Sequence, residues 1–129
     1  MTAAIVIPRG LIGARWAACG RDLRTGLDCW GVVRVLRPDV PDYAASPDDA
    51  LRLARAVAAG LRDGRWERLS GPQDGAVVRM ASASRAAHFG VQVRARVIHA
   101  TREDGVRADP ARDLAALGYP DLSWWDFRP

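Results

Sequence analysis

An α+β fold is predicted by the order of the local signals: helix signatures fill the first half of the chain, and short β-like runs follow from Gly75. At 129 residues the chain is long enough to bury one modest core. Hydrophobic residues make up 49% and charged residues 26%, the balance of a globular domain and too apolar for a disordered chain. Neither an internal repeat nor a low-complexity tract appears, so a single domain over residues 1–129 is expected.

The segment Met1 to Gly10 carries an apolar run only from Ala3 to Ile7, without the basic leader and length of a signal-peptide core. Synthesis and folding in a cytoplasm are therefore expected, with no membrane partner, since no stretch approaches the length of a span. In that compartment Cys19 and Cys29 should be reduced thiols. Next, Asp28 is a good N-cap, and Cys29-Trp30-Gly31-Val32-Val33-Arg34-Val35-Leu36-Arg37, closed by Pro38, reads as a short helix despite its valines. A second helix has Ser46 as cap, Pro47 at its first position and Asp48 and Asp49 in its first turn. Leu51, Ala54, Ala58 and Leu61 recur at helical spacing, and Gly60 and Gly64 are its stop signals.

Beyond Asp74-Gly75, which reads as a turn, strands are expected at Ala76 to Met80, Phe89 to Val93, Arg96 to Thr101 and Val106 to Ala108. The aromatic end Ser123-Trp124-Trp125-Asp126-Phe127 is expected to pack back on the domain rather than meet a partner.

Net charge is +4 and every one of the 19 basic residues is Arg, spread from Arg9 to Arg128. A nucleic-acid footprint concentrates such residues on one stripe, so a nucleic-acid partner is not expected. Cys29 at a helix start has unpaired N–H groups and the positive end of the helix dipole nearby, which favours a thiolate and offers donors to an oxyanion. If Arg94 and Ala95 form a two-residue turn, Val93 pairs with Arg96 and Gly90 lies opposite His99. His88 and His99 then become diagonal neighbours on one face, roughly 7 Å apart. A turn one residue longer would send them to opposite faces. Together, Cys29, His88 and His99 supply a nucleophile, a base and a group to orient the base. The spacings of the two Cys and two His miss the close ligand pairs of structural zinc, so no metal or other cofactor is expected. Cys19 is expected to be a packed thiol.

Leu11-Ile12-Gly13, Gly26-Leu27-Asp28-Cys29-Trp30-Gly31-Val32-Val33-Arg34, His88-Phe89-Gly90-Val91 and Val97-Ile98-His99-Ala100 stand in an order that resembles the NlpC-type cell-wall cysteine peptidases. The resemblance implies a compact papain-like fold, with the nucleophile at the start of a helix packed on a small antiparallel sheet. It also implies hydrolysis of amide bonds in peptidoglycan stem peptides. By position Cys29 becomes the nucleophile, His88 the base and His99 the residue that orients it. Trp16, Trp30 and Asp28 are expected to line the substrate site, although Asp28 also reads as the helix cap.

Trp30 directly after the cysteine, and Asp39-Val40-Pro41-Asp42-Tyr43 followed by an inserted alanine-rich helix, resemble the branch found in phage tails. The implied role is a tail-associated endopeptidase that helps a phage or phage-like particle cross the cell wall, with tail-tip or hub proteins as partners and a virion as its destination. The family's tyrosine twelve residues before the nucleophile is replaced by Ala17. Rival expectations are therefore a structural tail-tip or tail-assembly protein that keeps the peptidase fold, and a papain-like amidase or acyltransferase with another substrate.

Overall fold

The computed structural model describes residues 5–43, 50–84 and 86–129. The short strands β1 (Arg21–Asp22) and β2 (Gly26–Leu27) pair with each other and lead directly into helix α1 (Cys29–Leu36). Helix α2 (Ala50–Leu61) follows, then β3 (Trp66–Arg68), β4 (Val77–Ala81), β5 (His88–Val93), β6 (Arg96–Thr101), β7 (Gly105–Pro110) and β8 (Asp121–Phe127). These last six strands form one sheet in the order β3-β8-β4-β5-β6-β7, antiparallel at every pairing. The α+β class and the small antiparallel sheet follow the sequence reading.

Helix α1 forms where the cap demands it. Asp28 accepts a hydrogen bond from the Gly31 N–H at 2.7 Å, and Arg37 ends the helix before Pro38. Its valines are poor helix formers, but Val32, Val33, Leu36 and Trp30 are buried against Phe89, Val91 and Ile98 of β5 and β6. That burial outweighs the propensity cost, which is only a fraction of 1 kcal/mol per residue, roughly. Arg37 is itself buried and donates to the Gly75 carbonyl at 2.7 Å, pairing also with Asp39 and Asp126. One guanidinium thus ties the end of α1 to the approach of β4 and to β8.

The opposite face of the sheet carries Val78, Met80 and Val97, covered by Leu114 with Leu117, Tyr119, Leu122 and Trp124 around them. Four strands were not expected from the sequence: β1, β2, β3 and β8. The aromatic end packs back as anticipated, but as strand β8 inserted between β3 and β4. Trp124 Nε1 donates to Gln92 Oε1 at 3.0 Å, and Phe127 packs on Trp66. The expected start of the second helix, Ser46 to Asp49, lies outside the described residues. Gly60 is not a stop signal, because it lies inside α2; Gly64, with φ +89°, follows the helix end.

Candidate active site

Cys29 is the first residue of α1 and is half-buried. Its sulfur takes backbone hydrogen bonds at Trp30 and at Phe89, the neighbour of His88 on β5. The β5–β6 turn has the two-residue form, with Val93 opposite Arg96 and Val91 opposite Ile98. Arg94 takes a positive φ of 52°, and its N–H is held by the Asp74 carboxylate at 2.7 Å. This register places both histidines on one face, and His88 Nε2 lies 3.0 Å from His99 Nδ1. The Tyr119 ring stacks on His88 with centroids 5.2 Å apart.

The chain of contacts continues past His99. Its Nε2 lies 2.7 Å from Asp109 Oδ2, and Arg107 grips both oxygens of that carboxylate at 2.7 and 2.9 Å. Arg107 in turn donates to Asp104 at 2.7 Å. Asp109 was missed in the sequence because the strand was ended at Ala108. The signal that could have found it is the alternation Arg107-Ala108-Asp109, which points both charges to the face of His99 once His99 is set opposite Arg107.

The electrostatics oppose the expected thiolate. Burial, then the adjacent Asp28 charge, pushes the Cys29 thiol up to about 12, against the backbone N–H groups and Arg21, which favour the anion. Burial and the neighbouring His99 push His88 down to about 3. His99 is also lowered, chiefly by burial, which outweighs the support of Asp109. Burial would raise the Asp109 carboxyl, yet Arg107 and His99 hold it below the usual range. The resting state is thus a neutral thiol, two neutral imidazoles and an ionised carboxylate. A single helix start does not offset removal of the sulfur from water next to a carboxylate.

The expected substrate-lining residues divide. Trp30 has no exposed surface; its Nε1 donates to the Pro41 carbonyl at 2.9 Å and its ring packs on Tyr43, Trp66 and Phe89. It is a core residue and lines no site. Asp28 is nearly as enclosed, with the same Oδ1 engaged by Gly31 N–H and by Arg21 at 2.6 Å, so its capping role displaces a substrate role. Trp16 remains half-exposed, with the Arg102 guanidinium 4.6 Å above its ring. A polar recess of about 260 Å³ lined by Arg21, Arg34, Val35 and Asp42 includes none of Cys29, His88 and His99. Among the described residues no hydrogen bond joins the Cys29 sulfur to the His88 ring, and no group of three or more His, Cys, Asp or Glu is placed to hold a metal.

This arrangement of helices and sheet is similar to a solved structure, the NlpC/p60 domain of the peptidoglycan hydrolase SagA, with a TM-score of 0.57 over 88% of each chain. The fold is that of an NlpC/p60 domain. Sequence identity is 19%, so the likeness to that NlpC/p60 domain is one of fold. No protein-family model and no curated protein matches the chain.

Proposed function

We propose that the chain is a cysteine peptidase that hydrolyses amide bonds in peptidoglycan stem peptides. The observation that carries this reading is the 3.0 Å contact of His88 Nε2 with His99 Nδ1 beside Phe89, whose backbone hydrogen-bonds the Cys29 sulfur. The NlpC/p60 fold of a named peptidoglycan hydrolase supports the substrate class.

Because the thiol rests protonated, attack and proton transfer go together. The sulfur bonds to the scissile carbonyl carbon as its proton passes to His88, and the developing oxyanion is met by the backbone N–H of Cys29 at the helix start. The imidazolium then gives that proton to the leaving amine as the carbon–nitrogen bond breaks, leaving a thioester. Water attacks this acyl-enzyme with His88 again taking the proton, and the carboxylate and free thiol are released. His99 orients the His88 ring throughout.

Delivery on a phage or phage-like tail is the finer part of the proposal. The two sequence features behind it are physically one feature, since Trp30 and Tyr43 pack with centroids 5.2 Å apart and the Tyr43 hydroxyl accepts from Trp66. A second reading, a structural tail-tip protein without activity, is favoured by Ala17, which supplies no hydroxyl where the family's tyrosine stands.

The test is digestion of purified peptidoglycan and soluble muropeptides, with products resolved by mass spectrometry. Wild type should release amide-cleaved stem fragments, and Cys29→Ala should lower the rate by at least about a thousandfold while the far-ultraviolet spectrum stays unchanged. Intact muropeptides after prolonged incubation with folded wild-type protein would remove the peptidase reading and leave the structural one.

A further inference from the structure

Three charged or polar features outside the proposed nucleophile–base pair stand out: the Arg21–Asp28–Asp42 network, the Tyr119 ring on His88, and the Arg107–Asp109–His99 chain. The first is internally satisfied, and the second is a ring stacking that fixes no proton. The third has a definite consequence for where protons sit.

An ionised carboxylate only accepts hydrogen bonds. Asp109 is gripped through both oxygens by the permanently charged Arg107, so it stays ionised, and the 2.7 Å contact with His99 requires the proton on His99 Nε2. In a neutral imidazole that leaves His99 Nδ1 as an acceptor. The 3.0 Å contact to His88 then requires the proton on His88 Nε2, which leaves Nδ1 as the basic nitrogen of the His88 ring. One carboxylate on β7 sets the tautomers of two histidines on β6 and β5.

We propose that Asp109, held by Arg107, is a positioning residue that fixes the tautomers of His99 and His88, so that His88 accepts the thiol proton at Nδ1. The role rests on the peptidase reading for its catalytic value, but the proton positions exist whether or not the chain cuts peptide bonds. Asp109 touches neither the thiol nor His88, and it acts only through His99. Loss of the carboxylate charge lets His99 turn over to its other tautomer, with Nδ1–H facing His88; His88 Nε2 must then accept, and its Nδ1 carries the proton and cannot serve as base.

Two-bond proton–nitrogen correlation spectra of the resting protein at pH 7 read these positions directly, with only two histidines to assign. Wild type should show both rings protonated on Nε2. Asp109→Asn should show a mixture of tautomers and a ten- to hundredfold fall in kcat on muropeptides, with KM within about twofold. Asp109→Glu should restore the wild-type tautomers. Should Asp109→Asn misfold, Asp109→Ser, which also removes the carboxylate, is a second route and should shift the tautomers in the same direction, whereas Arg107→Gln, which leaves the carboxylate in place, should keep them. Nδ1 protonation of either ring in wild type overturns the inference, as does Asp109→Asn with unchanged tautomers and kcat. Wild-type spectra as expected, combined with uncut muropeptides, would uphold the tautomer assignment and reject the peptidase reading, so the two fail separately.

Discussion

The two halves of the candidate site are built on different principles. On the helix side, Cys29 is placed by its immediate neighbours: Asp28 caps α1, and Trp30 anchors the first turn in the core. On the sheet side, His88, His99 and Asp109 come from three strands and meet only because two hairpin registers agree. The helix side depends on apolar packing around a single local motif, and the sheet side on a line of polar contacts that a one-residue slip in either hairpin would scatter. Damage should therefore appear as lost stability on one side and as altered protonation on the other.

Trp30→Ala tests the first half with the largest expected effect. Removing a fully buried indole packed on three aromatic rings should cost about 3–5 kcal/mol and lower Tm sharply, read by thermal unfolding. A variant with unchanged Tm and a raised KM would return Trp30 to the substrate site.

Acid titration tests the second half. His88 is held at about 3, against 6.5 for an ordinary histidine, so below pH 6.5 the unfolded chain takes up a proton that the folded chain refuses. Stability is full above that range and is lost as pH falls from 6.5 towards 3. Between pH 7 and pH 5 the contribution of His88 should fall by about 2 kcal/mol, measured by urea unfolding at both values. His88→Gln should remove that share of the slope, and equal slopes for variant and wild type would contradict the burial argument. Activity should likewise persist down to about pH 5, because the base is still neutral there.

The smallest effect belongs to the junction of the halves. Asp28→Asn keeps a competent cap but removes the charge beside the thiol, so stability should change by less than about 1 kcal/mol. The thiol should then ionise more readily, and iodoacetamide labelling of Cys29 at pH 9 should quicken several-fold, with Cys19 as the internal reference. Unchanged labelling would show that burial alone keeps the proton on sulfur.

What was legible in the sequence follows the same division. The cap at Asp28 and the extent of α1 are determined by a few adjacent residues, and each could be read directly. The runs that form β5 and β6 were legible too, but the proximity of His88 and His99 hung on whether the turn at Arg94-Ala95 has two residues, which is the register found. Strand β8 could not be read, because Ser123 to Phe127 has no alternation of its own and becomes a strand only between two partners far earlier in the chain. Trp30 was misplaced because the aromatic cluster that buries it comes from Tyr43, Trp66 and Phe89, which local periodicity does not connect. The thiol's protonation depends on burial, a property no short motif carries.

The position of β8 also constrains the order in which the molecule can assemble. β3 and β4 are adjacent in chain order, yet they never pair; the strand between them is residues 121–127. Until those residues arrive, β4 presents an open edge bearing Val78 and Met80, and β3 has nothing to pair with. A polypeptide interrupted between residues 110 and 121 would keep α1 and the histidine hairpin but lack the keystone of its sheet, and should be prone to aggregation. Folding is thereby postponed to a closing, long-range step, the kind that makes β-rich topologies slow.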